Sequence, residues 1–369
     1  MSEVIPDESP IMQGTEADKA ADYANYFCSY SYLYHQKQML MDHNRMKAYH
    51  SAIMRNQSMF AGKVVLDVGT GSGVLSLWAA QAGAAKVFAV EFTDMAKHAR
   101  KMVEKNGFSG VIEVIQSSVE DLQLDCKVDI IISEWMGYFL LRESMLDSVI
   151  RARNRWMKPD GVMFPSHATM FFGAISNEED RSARMNEFQG SMMEWVKFSQ
   201  EMKEFYNLDM SALNEPYERE QAEYYVYSSL WTELHSEHNV GQAVVIKRMD
   251  LNTCTLADAE CVPITPFEIT VPFAMTVSGF AGWFTVDFAG SASNPVSKRV
   301  TLTTGPEGGY THWGQQVFYL KDAIQCTADT KLSGVIQMPR QEKNKRLYNF
   351  EIVMKVDDGE QQHFKYEIP

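Results

Sequence analysis

The 369-residue chain carries 34 basic and 48 acidic residues, a net charge of −14, with 45% apolar and 12% aromatic residues. At roughly 150 residues per domain this length exceeds one compact core, and the apolar content excludes a disordered chain. The acidic balance argues against a protein that wraps nucleic acid, whose affinity comes from clustered Lys and Arg, and fits a cationic partner instead.

Residues 1–20 read as a flexible acidic leader, without the basic start and apolar run of a secretion signal. No stretch approaches the roughly 18 apolar residues of a membrane span, so no membrane partner is expected. Residues 21–60 contain aromatics and long side chains, with Met39, Arg45, Met46 and Tyr49 at helical intervals, which predicts an N-terminal helical lid. Over 61–165 a buried-strand pattern, Lys63 to Asp67, leads into a glycine turn and a helix from Val74 to Gly83. Strand-like runs return at Lys86 to Glu91, Val111 to Ile115 and Val128 to Ser133, separated by helix-compatible segments. Strands alternating with helices predict a parallel, Rossmann-like α/β sheet.

After Pro165 the character changes. Over 166–369 eight short β runs predict an all-β sandwich or barrel: Ala168 to Ile175, Gln242 to Leu251, Phe267 to Val271, Trp283 to Phe288, Val300 to Thr303, Gln316 to Leu320, Lys331 to Gln337 and Leu347 to Val356. A helical arm over about 178–225 interrupts it, with Met185, Phe188, Met192, Trp195, Phe198, Met202 and Phe205 recurring every three or four residues. That stripe has to be buried, on this chain or on a second copy. The stretch from Glu215 to His238 could extend an interface with a second copy or fold back over the stripe. Five scattered cysteines, Cys28, Cys126, Cys254, Cys261 and Cys326, include no Cys-x-x-Cys pair, so neither a disulfide framework nor a metal site is expected, and a reducing compartment fits.

The glycine turn, Gly69-Thr70-Gly71-Ser72-Gly73, follows a strand and opens a helix, the context of a nucleotide-like ligand. The third glycine of the dinucleotide pattern is replaced by Val74, and Asp67 would repel a pyrophosphate. Glu91 closes the next strand, where a carboxylate can accept from both hydroxyls of a ribose. A ligand with a ribose, a positive charge and no phosphate meets these conditions. Asp67, Gly69, Gly71 and Glu91 therefore read as a site for S-adenosylmethionine.

A second constellation is Ser133-Glu134-Trp135-Met136-Gly137-Tyr138, followed by Arg142-Glu143-Ser144-Met145. Glu134 stands at the carboxyl end of a strand and Glu143 nine residues on. Two carboxylates sharing a pocket repel unless a delocalised cation lies between them, and a guanidinium is planar, always charged and bidentate.

Val65 to Gly73, the paired-glutamate segment Ser133 to Met145, and Tyr310-Thr311-His312-Trp313 together resemble the protein arginine N-methyltransferases, with wording similar to the type I members that make asymmetric dimethylarginine. The resemblance runs from about Asp22 to the C-terminus. It implies Glu134 and Glu143 on the substrate guanidinium, Arg45 on the cofactor carboxylate, Glu91 on the ribose and Glu120 at the adenine. It also implies that Tyr26, Phe27 and Tyr30 close over the cofactor and that Asp42 and His312 bridge the two domains, either as a proton acceptor or as a brace. Met39 and Met145 would shape the pocket beside the cofactor. Gln36 stands where the family usually has His. The implied partners are arginine-containing proteins, such as histone tails and arginine/glycine-rich RNA-binding proteins, and a second copy in a homodimer through the arm; direct nucleic-acid binding is not expected. Cytoplasm and nucleus are the expected compartments. Two other readings stand beside this one: a non-catalytic partner that keeps the fold, and a methyltransferase of a non-protein acceptor.

Overall fold

The computed structural model describes residues 30–342 and 344–368. The leader over 1–20, the start of the expected lid, and with it Tyr26 and Phe27, lie outside the described residues. Among the described residues, the helices α1 (Leu33–Met41), α2 (His43–Met54) and α3 (Gln57–Phe60) precede the sheet. In α2 the buried residues Ala48, Tyr49, Ala52 and Ile53 recur at helical spacing and give the helix one apolar face. Asp42 caps it, accepting the Arg45 N–H at 2.9 Å.

A parallel sheet follows, with β1 (Val64–Val68), β2 (Lys86–Glu91), β3 (Ile112–Gln116), β4 (Val128–Ile132) and β5 (Met157–Phe164) in the order β3-β2-β1-β4-β5. Its helices are α4 (Val74–Gln81), α5 (Met95–Lys105) and α6 (Met145–Trp156). The near-continuous Val and Ile of β1 and β4 suit strands buried on both faces. Strand order reverses between β1 and β4, and in open α/β sheets the crevice outside such a reversal is where ligands bind. Asp67 lies opposite Ile132 in the ladder, which sets the glycine turn beside Ser133 and Glu134.

The second unit contains β6 (His167–Ile175), β7 (Leu230–Thr232), β8 (Asn239–Asp250), β9 (Cys261–Thr270), β10 (Met275–Gly290), β11 (Pro295–Thr303), β12 (Gln315–Cys326), β13 (Lys331–Pro339), β14 (Tyr348–Val356) and β15 (Gln362–Ile368). They build two antiparallel sheets, β7-β12-β10-β6-β8, with β11 on the far half of β10, and β15-β14-β13-β9. Phe172, Phe267, Phe280, Phe318 and Phe350 fill the space between the sheets, with neighbouring ring centroids 4.4 to 6.3 Å apart. At one seam the Ser229 N–H donates to Glu367 O at 3.0 Å; at the other Lys247 Nζ donates to Cys261 O at 2.8 Å. The body is barrel-like, though its strands do not form one continuous ladder.

The arm leaves the barrel after β6. Helix α7 (Glu178–Tyr206) runs out and α8 (Asn214–Tyr225) folds back along it. Trp195 stacks on Tyr217 at 4.3 Å and donates through Nε1 to Asn214 Oδ1 at 2.8 Å, while Arg184 holds the carbonyls of Tyr224 and Tyr225 at 2.6 and 2.7 Å. The stretch after Glu215 thus covers one side of the stripe, where Met185, Phe188, Met192, Trp195 and Met202 are buried or half-buried. Met193, Val196, Phe198 and Phe205 remain exposed. Trp195 therefore belongs to the arm's own core, which the sequence pattern did not separate from its outer face.

Candidate active site

The glycine turn leaves β1 with left-handed backbone at Gly69 (φ 72°) and Gly71 (φ 54°). Space is short at both: a Cβ at Gly69 would lie 2.4 Å from Met145 Cε, and one at Gly71 would lie 2.8 Å from Gln36 Oε1. Gln36 is buried on α1 and donates to Tyr30 O at 3.4 Å. Glu91, at the end of β2, is held by the Thr93 N–H and hydroxyl on Oε1 (2.8 and 2.7 Å) and by the Gly71 N–H on Oε2 (3.0 Å). A carboxylate has about four lone-pair sites, so Oε2 keeps acceptor capacity for a ligand hydroxyl.

Asp67 is wholly buried, and its Oδ2 accepts from Thr70 Oγ1 at 2.6 Å and Ser76 Oγ at 2.7 Å. Its Oδ1 is buried without a hydrogen-bond partner among the described residues. Burial pushes this carboxyl up to about 6, against the lowering effect of the two hydroxyls. Glu120 is exposed after β3, and its Oε1 accepts from Ser148 Oγ on α6 at 2.9 Å. The donor set fits a phosphate-free, cationic nucleoside: an orphaned acidic oxygen, a glutamate with acceptor capacity to spare, and a turn bare of side chains.

Four contacts fix the paired-glutamate segment beside this turn. Ser133 Oγ donates to Val68 O at 2.8 Å, Tyr49 OH donates to Ser133 O at 3.0 Å, and Trp313 Nε1 donates to Met136 O at 2.7 Å. The Phe139 ring lies on β10 at Gly282, where a Cβ would come within 2.2 Å of it. Phe139, Leu140, Glu143 and Ser144 all have left-handed backbone, a costly conformation for residues with side chains.

Glu134 accepts on one oxygen only. Its Oε2 takes Arg45 Nε at 3.2 Å and Nη2 at 2.9 Å, and no described residue donates to its Oε1. Arg45 Nη1 also donates to Met39 O at 3.2 Å, which brings Met39 to the same place. Glu143 accepts from Tyr30 OH on Oε2 at 3.0 Å, and Arg142 Nη1 lies 3.6 Å from its Oε1. Burial raises the Glu143 carboxyl above its usual range; Glu134 adds to the rise, and Arg142, Tyr30 and Arg346 oppose it. A pocket of this kind favours a cation between its two carboxylates.

Asp42 joins the two units. It is fully buried, and its Oδ2 accepts the His312 N–H at 2.9 Å and faces His312 Nδ1 at 2.8 Å. Burial alone would raise this carboxyl, but the hydrogen bonds from His312 and from the Arg45 N–H outweigh it and hold the group below its usual value. Asn44, two residues on, donates to Gly308 O and Tyr310 O at 3.1 and 2.9 Å. Of the site residues expected from the sequence, Met39, Asp42, Arg45, Glu134 and His312 are linked by direct contacts, Tyr30 and Glu143 form a second linked pair, and Gln36, Asp67, Gly69, Gly71, Glu91 and Met145 line or support the adjoining turn. Sequence reasoning missed Tyr49, Ser76 and Thr93, whose hydroxyls hold the site from behind; Tyr49 shares a helical face with the site helix residues, but nothing in the pattern distinguishes it from core.

This fold and this turn define an S-adenosylmethionine-dependent methyltransferase, and residues 65–161 match the Methyltransferase domain family. Residues 166–359 match the Arginine methyltransferase oligomerization subdomain, more than half of the chain. Protein arginine N-methyltransferase PRMT10 of Arabidopsis thaliana is 47% identical over 344 residues, covering 93% of this chain and 89% of its own. PRMT10 of Oryza sativa subsp. japonica is 47% identical over 346 residues, with 93% and 90% covered. The crystal structure of Arabidopsis PRMT10, described as a uniquely open conformation, superposes with a TM-score of 0.90 at 44% identity, covering 93% of this chain and 100% of that one. The Trypanosoma brucei PRMT1 enzyme-prozyme heterotetrameric complex with AdoHcy gives a TM-score of 0.78 at 31% identity, covering 92% and 100%. The chain belongs to the protein arginine N-methyltransferases.

Proposed function

We propose that the chain is a type I enzyme, making monomethyl and asymmetric dimethylarginine on histone tails or arginine/glycine-rich RNA-binding proteins, as a homodimer in cytoplasm and nucleus. The observation that carries this reading is the pocket in which Glu134 and Glu143 approach each other, with Tyr30 and Arg45 holding one oxygen of each. S-adenosylmethionine supplies an electrophilic methyl group at a cationic sulfur. Asp67, Gly69, Gly71 and Glu91 would hold it through the turn and the ribose-facing carboxylate, with Arg45, Gln36, Glu120 and Tyr30 around its edges.

The chain's own part is position and charge. Glu134 Oε1 and the Glu143 carboxylate would grip the substrate guanidinium and draw its positive charge toward the nitrogens they touch, which leaves the remaining nitrogen more nucleophilic. A cation seated there opposes the burial and the Glu134 repulsion that raise the Glu143 carboxyl, so filling the pocket favours its ionised form. Asp42 accepts both the ring and the main chain of His312, which suits a brace between lid and barrel. Met39, whose carbonyl accepts from Arg45, and Met145, whose Cε lies over Gly69, would shape the space to which an already methylated nitrogen is readmitted, a task that flexible thioethers suit. The exposed Met193, Val196 and Phe205 on the arm support association with a second copy.

Incubation with S-adenosylmethionine and either an arginine/glycine-rich peptide or a histone tail, followed by chromatography of the hydrolysate against standards, tests the reading. Asymmetric dimethylarginine is expected from the wild type and no product from Glu143→Gln, whose cofactor affinity should stay within a few fold. Symmetric dimethylarginine as the main product would refute the subtype. A Glu143→Gln enzyme that turns over at near wild-type rate would refute the two-carboxylate mechanism.

A further inference from the structure

We propose that Arg346, on the hairpin loop between β13 and β14 of the barrel, is a positioning residue that aims the Glu143 carboxylate by clasping the backbone on which it stands. The inference rests on the reading of Glu143 as a holder of the substrate guanidinium. Glu143 and Ser144 are consecutive residues with side chains at φ 80° and 58°. Backbone of this kind persists only where its surroundings impose it, and here the surroundings come from the other unit of the protein.

The Glu143 N–H donates to Arg346 O at 2.8 Å, and Arg346 Nη1 donates back to Glu143 O at 2.9 Å. Both bonds use the main chain of Glu143, so its side chain stays available to Tyr30 and to a guanidinium. Ser144 Oγ donates to Lys345 O, which extends the clasp by one residue. Further along, Arg340 grips Asp147 in the first turn of α6 with Nη1 and Nη2 at 2.7 and 2.9 Å. The loop itself is stiffened by Asn344, which accepts the Arg346 N–H on Oδ1 at 3.1 Å and the Leu347 N–H on its carbonyl at 3.1 Å. Thus the end of the glutamate segment is held between two arginines of one hairpin, while its beginning is held by β1 and α2.

Two consequences separate this role from a general brace. Removing the Arg346 side chain breaks the Nη1 half of the clasp and would let Glu143 drift about its remaining main-chain bond, and a misplacement of about 1 Å at a reacting centre costs on the order of 10²-fold in rate. The Arg346 guanidinium is also one of the positive charges that oppose the rise in the Glu143 carboxyl. Removing it would let that carboxyl rise further, and the acid limb of the rate profile would move to higher pH.

The test uses the full chain, with wild type shown active on an arginine/glycine-rich peptide and Glu143→Gln as control. For Arg346→Gln the expected result is a kcat lowered about 30- to 100-fold, with an acid limb displaced upward in pH. The S-adenosylmethionine Kd from calorimetry should stay within about threefold, and the melting temperature should not change. Arg346→Lys keeps the charge but not the planar fork, so it should return the acid limb to its wild-type place and recover part of kcat. The inference is overturned by Arg346→Gln with wild-type kcat and acid limb, by a parallel loss of kcat, cofactor affinity and melting temperature, or by Arg346→Lys behaving like Arg346→Gln. Should the Gln variant not fold, the Lys variant decides: a lowered kcat at unchanged cofactor affinity supports the clasp, and wild-type kinetics overturn it. An active Glu143→Gln would instead defeat the reading of Glu143 on which the clasp depends.

Discussion

Replacing Asp67 by Asn should change the pH dependence of stability more than stability itself. Burial raises the native carboxyl from 3.8 to about 6, which at about 1.4 kcal/mol per pH unit amounts to about 3 kcal/mol against the ionised form. An acid whose native pKa is raised favours the native state while it is protonated. That contribution is complete below pH 3.8 and is lost as the pH climbs through about 6. Asn cannot ionise and escapes the loss. Its Oδ1 can still accept from Thr70 and Ser76, but its amide nitrogen would take the place of the orphaned Oδ1 and bury unpaired donors, at about 1 to 3 kcal/mol whatever the pH. The variant should therefore be less stable by about that amount near pH 4 and should draw level with, or pass, the wild type by about pH 7. Thermal or urea unfolding of both proteins without cofactor, at matched ionic strength across this range, measures the gap. A gap that is constant with pH, or that widens as the pH rises, would refute the assignment of a costly buried charge at Asp67.

Asp42 should behave in the opposite sense: its carboxyl is held low, so its contribution is present above its unfolded value of 3.8 and is lost as the pH falls through the lower native value. Asp42→Asn should accordingly lie below wild type in urea midpoint at neutral pH, with the difference shrinking under acid; a difference that grows under acid would contradict the pairing with His312. Gly282→Ala should displace the Phe139 ring, which would lie 2.2 Å from the new methyl, and cost about 1 to 3 kcal/mol of stability along with much of the activity. Unchanged melting and turnover would show that the contact is not needed. A Met193→Asp, Val196→Asp double variant targets exposed arm residues and should sediment as a monomer beside a dimeric wild type; a monomeric wild type would remove the arm from any role in assembly.

The parallel sheet was legible in the sequence because buried strands and amphipathic helices alternate with different periods, and the glycine turn punctuates them. Boundaries failed where punctuation misleads. In β10, Gly279 and Gly282 look like turn residues, and only Trp283 to Phe288 reads as a strand. Both glycines are in fact mid-strand, since a Cβ at 279 would strike Phe318 O at 2.4 Å and one at 282 would enter the Phe139 ring. Pro159 and Gly161 concealed β5 in the same way, and the polar alternation of Gln362 to Ile368 concealed β15. The candidate site was legible as a set of charged residues near strand ends. Its geometry was not, because it depends on left-handed backbone at Phe139, Leu140, Glu143 and Ser144, and no residue type there announces it. The sequence left open whether the stretch after Glu215 folds back over Trp195 or extends an interface, since a tyrosine-rich polar helix reads the same whether it covers its own arm or another chain.

The pairing of Arg45 with a single oxygen of Glu134 bears on how the product departs. Methylation leaves a guanidinium with its full charge, so the Coulomb attraction that seats the substrate persists after the reaction. A cavity presenting two uncompensated carboxylates would retain its product and turn over slowly. Here one carboxylate is shared with a resident arginine and the other has Arg142 at 3.6 Å, so the incoming guanidinium meets two carboxylates that are each partly compensated. Residence of a methylated chain would then rest on shape and desolvation more than on charge.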